Sequence, residues 1–172
     1  MVTTTQNPQD ELTKTEHITI ASDELQKFEG FRSEAYADKA LLDKKKVLYT
    51  IGFGNTIYED GTAVKSGDKI DIKRGLALLR FKIFQIDDQL CARIPKYDRF
   101  DKYQKAALIS FSYNCGEYFF GNSKFKSMTA LLSGNGYADK ARVANVFKLY
   151  SNRGVLTNRR IREAALFNGE IK

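Results

Sequence analysis

The sequence is short of the residues that build many enzyme sites: it has one histidine, His17, and two cysteines, Cys91 and Cys115. A single histidine excludes a serine or cysteine protease triad built elsewhere in the chain, and any multi-histidine zinc site. The cysteines have neither metal-ligand spacing nor the density of a secreted disulfide scaffold, and read as two buried free thiols. No apolar run approaches the roughly 18 residues that a membrane span needs. The first twenty residues lack the basic start and apolar middle of a signal peptide. The expectation is a soluble protein made in the cytosol, whose chemistry runs on carboxylates.

What is present is ordinary for a globular protein. The 172 residues are 42% hydrophobic and 28% charged, enough for one compact domain with a proper core. Lys and Arg number 28 against 21 acidic residues, a net charge of +7. That balance favours a polyanionic partner: nucleic acid, anionic lipid or bacterial wall. No nucleic-acid-binding motif accompanies the charge, so nucleic acid ranks last among them. The Lys44-Lys45-Lys46 run reads as a solvated turn.

Residues 1–20 are polar with little periodicity and read as an N-terminal arm, leaving residues 21–172 as the single domain. Ser22 is placed to cap a short helix with Leu25 and Phe28 on one face, Glu29 at its end and Gly30 as its stop. Residues 33–65 carry short apolar stretches broken by Gly52, Gly54 and Glu59-Asp60-Gly61, the pattern of a small β meander. Ile72, Leu76, Leu79, Ile83, Ile86 and Leu90 then recur in steps of four and three, as the buried stripe of a long helix does. Pro95 ends it, and helices are expected over 102–114, 127–132, 139–150 and 158–167. This predicts an α+β fold, with a small antiparallel sheet lobe, a larger helical lobe and a cleft between them. Residues joining the first helix to the sheet are where chemistry is expected, which singles out Glu29 and Asp38. Glu29 should lie near the apolar face at the negative end of its helix, and both effects favour a protonated carboxyl able to donate to a leaving oxygen. The plainer alternative is a surface glutamate.

Three blocks narrow the choice. Phe28-Glu29-Gly30-Phe31-Arg32, Ala35-Tyr36-Ala37-Asp38 and Tyr49-Thr50-Ile51-Gly52-Phe53-Gly54-Asn55-Thr56 together resemble the signature of the phage-type lysozymes, the endolysins or muramidases of glycoside hydrolase family 24. That family pairs a Glu with an Asp nine positions later and a Thr opening a TIGxG turn, the spacing that Glu29, Asp38 and Thr50 show. The stretch from Gln104 to Gly116 resembles the family's central helix. Gly154-Val155-Leu156-Thr157-Asn158-Arg159-Arg160-Ile161-Arg162-Glu163 resembles its terminal GLxxRRxxE helix. The resemblance covers about residues 20–167.

The resemblance implies an activity: hydrolysis of the β-1,4 bond between N-acetylmuramic acid and N-acetylglucosamine in bacterial peptidoglycan, for cell lysis by a phage or prophage. It implies no metal or organic cofactor. Glu29 would protonate the glycosidic oxygen, Asp38 would stabilise the oxocarbenium-like transition state or aid an attacking water, and Thr50 would position that water. Tyr113 and Asn114 match substrate-contacting positions at the end of the central helix, their alternative being core packing and a helix cap. Arg159 matches an arginine close to the catalytic Glu, its alternative being a salt bridge on the surface of the terminal helix. The protein would be a monomer, synthesised in the host cytoplasm, reaching the wall through a holin-like pore. Two departures stand out. Eleven residues separate Asp38 from Thr50, where the family pattern has five, and they include a rival acid, Asp43. Asn55 stands where many relatives have His. The other readings are a lytic transglycosylase and a non-catalytic wall-binding or structural module.

Overall fold

The computed structural model describes the backbone of residues 8–37 and 47–172, and within these the side chains from Glu16 onward. It is an α+β structure. In chain order it contains α1 (Pro8–Glu29), β1 (Arg32–Ala37), β2 (Tyr49–Gly52), α2 (Ile72–Arg93), α3 (Lys102–Cys115), α4 (Lys126–Ser133), α5 (Lys140–Lys148) and α6 (Thr157–Phe167). The long helix expected from the Ile72-to-Leu90 stripe is α2, and the four expected beyond Pro95 are α3 to α6.

The first helix corrects the sequence reading. It begins at Pro8, so residues 8–20 are not an irregular arm but the first half of a helix of 22 residues. Ser22, read as its cap, is buried within it, and its carbonyl accepts from Gln26 Nε2 at 3.2 Å. The reason is spacing: Ile18, Ala21 and Leu25 fall on one face and all are fully buried. Pro8 suits a first helical position, where its missing N–H would have had no partner. The cysteines differ too. Both thiols are free, but Cys91 is exposed and Cys115 half-buried.

The chain divides into two compact units, residues 22–84 and the residues on either side of that span, with the boundaries inside α1 and α2. The unit of residues 22–84 holds the sheet. Ile51, Val64 and Leu78 form its apolar cluster, with Ala35, Tyr49, Tyr58 and Ile70 packed against them. Among the described residues, strand-like structure continues past β2 as isolated bridges, Ile51 with Asn55, Ile57 with Ala63, and Lys69 with Glu34 of β1. The Glu59-Asp60-Gly61 turn is held by Asp60 Oδ1, which accepts from Thr62 N at 2.9 Å and Thr62 Oγ1 at 2.7 Å.

A second tie closes the same loop. Asp68 Oδ2 accepts from Lys65 N at 2.9 Å and from the Tyr58 hydroxyl at 2.9 Å. These bonds hold the Asp68 carboxyl below its ordinary range, the backbone N–H first. Burial and then the carboxylate push the Tyr58 phenol up to about 12. A phenol raised in the folded state contributes stability that is complete below its unfolded value of about 10 and is lost as pH rises through about 12. Tyr58→Phe should therefore weaken the parent's loss of urea stability between about pH 9 and pH 12. An identical loss in both proteins would show that Tyr58 does not bind its proton more tightly when folded.

In the other unit, α3 packs on α6 and α5 on α6. Asp101 starts α3 with a reciprocal capping box to Gln104. Phe111 is the centre of an aromatic cluster, meeting Phe119, Phe125, Phe147 and Tyr150 edge-on at 5.1–6.0 Å. A polar staple ties the start of this unit to its middle. His17 Nε2 lies 3.0 Å from Asp87 Oδ2, and the buried Tyr97 hydroxyl donates to Asp87 Oδ1 at 2.7 Å. Asp87→Asn removes the charge that serves both, and is expected to cost about 1–3 kcal/mol, read as a lower thermal midpoint. A midpoint equal to the parent's would show that the staple contributes nothing.

Candidate active site

Glu29 is the last residue of α1 and is half-buried. Gly30 follows with φ +63°, the left-handed conformation that ends helices at low cost when no Cβ is present. The chain then enters β1 at Arg32. This link is anchored by Phe31, whose ring lies 5.5 Å from that of Phe53. Gly75 on α2 makes room for it, since a Cβ there would come within 2.5 Å of Phe31 Cε2. Sequence, turn and packing thus fix where the helix that carries Glu29 ends.

β1 and β2 run antiparallel, with Tyr36 opposite Thr50 and Ala37 opposite Tyr49. The register shifts between Arg32 and Tyr36, so β1 bends along its length. Thr50 is 2% exposed, and its hydroxyl has no hydrogen-bond partner among the described residues. Asp38, and with it the rival Asp43, lies outside the described residues, as do the lysine run and most of the long segment before Thr50.

The TIGxG motif has a clear structural meaning. Ile51 and Asn55 exchange both backbone hydrogen bonds, each 2.9 Å, and close a tight hairpin. Gly52 at φ +64° and Gly54 at φ +101° supply the left-handed residues that the turn requires. Asn55 is 8% exposed and donates through Nδ2 to the Leu78 carbonyl at 3.4 Å, while its Oδ1 has no partner among the described residues. Thr50 and Asn55 thus bring to one hairpin two buried oxygens that no described residue satisfies. Native interiors keep such groups rarely, and usually for a ligand, a water or a chemical role. Along β1 runs an open pocket of about 570 Å³, lined by Phe31, Arg32, Ser33, Glu34, Ala35 and Tyr36.

Tyr113, Asn114 and Arg159 belong to the other unit. Tyr113 is half-buried and Asn114 exposed in the last turn of α3. The residue that caps this helix is Gly116, at φ +94°, and not Asn114. Arg159 is 6% exposed, so its ion pair is not a surface one. Its Nε lies 3.0 Å from Glu163 Oε1, and its Nη2 donates to the Ser110 carbonyl at 2.9 Å. Arg160, fully buried, pairs through Nη1 with Glu163 Oε2 at 2.8 Å and donates through Nη2 to Asn114 Oδ1 at 2.6 Å. Ser110 Oγ also donates to Glu163 Oε1 at 2.8 Å. Burial pushes the Glu163 carboxyl up, against the pull of both guanidiniums. The role of Arg160 and Glu163 was missed in the sequence, although the RRxxE spacing signals it: three- and four-residue steps place both arginines beside one carboxylate.

A profile of the phage lysozyme family matches residues 26–163. Among solved structures, a mutant of P22 lysozyme is 28% identical with a TM-score of 0.66, the likeness covering 86% of this chain and 94% of that one. An endolysin from Escherichia coli O157:H7 phage FAHEc1 has a TM-score of 0.68 at 24% identity, over 88% of this chain and 92% of that one. The muramidase domain of SpmX from Asticaccaulis excentricus shares the fold at 21% identity, with a TM-score of 0.62 over 86% and 93% of the two chains. No curated protein matches the chain in sequence. The family match runs through the Glu29 helix end, the TIGxG hairpin and the RRxxE helix alike, and the chain belongs to the phage lysozyme family, glycoside hydrolases that act on peptidoglycan.

Proposed function

We propose that the chain hydrolyses the β-1,4 bond between N-acetylmuramic acid and N-acetylglucosamine, with Glu29 as the general acid. Asp38 stabilises the oxocarbenium-like transition state or aids the attacking water, and Thr50 positions that water. The observation that carries this reading is the buried hydroxyl of Thr50, which has no hydrogen-bond partner among the described residues. Leaving such a group unsatisfied costs about 1–3 kcal/mol, a cost that a bound water removes. An inverting glycosidase needs a held water of this kind on the face of the sugar opposite the acid. Tyr113, Asn114 and Arg159 supply substrate contacts. Arg159 does so from a position fixed by Glu163 and the Ser110 carbonyl.

In this reading the protein is a monomeric lysis enzyme of a phage or prophage, made in the host cytoplasm and released to the wall through a separate pore. No helix in the described residues is long and apolar enough to cross a membrane. The net charge of +7 suits an anionic wall better than it selects any nucleic acid. The test is mass spectrometry of the fragments released from purified peptidoglycan. Hydrolysis leaves reducing N-acetylmuramic acid ends. Anhydro ends would identify a transglycosylase, and no released fragments would identify a binding module.

A further inference from the structure

We propose that Arg160 sets the hydrogen-bonding sense of Asn114, so that Asn114 presents only N–H donors to the glycan and selects for the acetamido carbonyl of its sugars. This rests on the reading that Asn114 contacts substrate. An asparagine amide has an acceptor end and a donor end, and on an exposed residue the two can exchange by rotation. Here they cannot exchange without loss. Arg160 has five donors and no acceptor, so the end of the amide that faces it must be the oxygen.

The guanidinium that imposes this is itself fixed. Arg160 is fully buried, pairs with Glu163 Oε2 at 2.8 Å, and donates from Nη1 to Cys115 Sγ at 3.7 Å. Its carbon sits 4.8 Å over the Phe111 ring. From that position Nη2 reaches Asn114 Oδ1 at 2.6 Å. The Cys115 thiol donates to the same oxygen at 3.9 Å. Both contacts occupy the acceptor, no hydrogen bond to a described residue engages Nδ2, and Asn114 itself is exposed.

A site that offers only donors favours groups that accept. The acetamido carbonyl on the sugars of peptidoglycan does so. The ammonium left when that acetyl group is removed does not, and sets donor against donor. Buried or semi-buried polar mismatches of this kind discriminate more strongly than apolar ones. Arg160 is thus a positioning residue, acting through Asn114, and the pair reads whether the glycan is N-acetylated.

The experiment compares steady-state kinetics on two substrates: glycan strands freed of stem peptides, and the same strands chemically N-deacetylated. Removing the peptides excludes their carboxylates as the acceptor, and the lactyl carboxylate that this frees is common to both substrates, so a difference between them reports the acetamido group. Asn114→Asp keeps the shape and an oxygen for Arg160 but replaces the outward donors with an acceptor. It should raise KM on acetylated strands by on the order of ten-fold with kcat little changed, and should shrink the preference for acetylated strands. Arg160→Met, checked for folding by thermal melting, should shrink the same preference by freeing the amide to rotate. If that variant does not fold, Asn114→Asp decides alone. An unchanged KM, or an equal rise on both strands, overturns the proposal. Glu29→Gln on the same strands separates the two levels: if it turns over like the parent, the reading of the active site has failed rather than this inference.

Discussion

Glu29→Gln is expected to fold like the parent and to lose peptidoglycan hydrolysis by a factor on the order of 10² to 10⁴. Gln nearly matches Glu in shape but has no acidic proton to give a leaving oxygen. The surroundings should hold when the proton is removed. Glu29 closes α1, Gly30 makes the left-handed turn, and Phe31 is wedged between Phe53 and the bare backbone of Gly75. None of these depends on the charge of the carboxyl. Glu34→Gln is the control. Its carboxylate is 65% exposed and pairs with Lys69 Nζ at 2.6 Å, also on the surface. An exposed pair of this kind contributes at most about 1 kcal/mol, so activity and melting should both survive its loss. Purified Glu29→Gln that clears a peptidoglycan suspension as fast as the parent, with an unchanged melt, would remove Glu29 from the mechanism.

How much of this was legible beforehand depended on where the deciding contacts lie along the chain. Local signals survived. The α2 stripe is a property of neighbouring turns, and Leu79, Ile83, Ile86 and Leu90 are all fully buried, although Ile72, its first member, is half exposed at 50%. Gly30 as a stop and the two glycines of the TIGxG turn likewise follow from backbone conformations that other residues avoid. The N-terminal half of α1 was hidden because few residues there are apolar, and Ser22 imitates a cap.

The site divides in the same way. Motif spacing singled out Glu29 and Thr50 as candidates, but the buried Thr50 hydroxyl, without a partner among the described residues, becomes visible only once strand register and burial are known. Burial of charge was not readable at all. Arg159, Arg160 and Glu163 look like a solvated helix face until residues from α3 close over them, with Ser110 lying 53 positions from Glu163 and Asn114 lying 46 from Arg160.

That cluster gives the largest expected effect on stability. Glu163 is 1% exposed and carries two guanidinium partners at 3.0 and 2.8 Å, one from Arg159 and one from Arg160. Glu163→Ala removes the carboxylate that faces both guanidiniums, leaving two buried cations beside a small cavity. Breaking a buried pair from one side costs about 3–5 kcal/mol, because the stranded charge keeps its desolvation penalty and loses its compensation. Glu163→Gln tests the charge apart from the cavity: it fills the space, yet its NH2 meets arginine donors and one oxygen remains to serve Arg159, Arg160 and the Ser110 hydroxyl. Both variants should lose stability in urea denaturation, with the midpoint falling and the slope unchanged. Lys69→Ala, which breaks the exposed pair with Glu34, should fall by no more than about 1 kcal/mol. The contrast matters more than either value. If Glu163→Gln loses no more than Lys69→Ala, the arginines are being solvated in place, and the cluster does not hold α6 to α3 by charge.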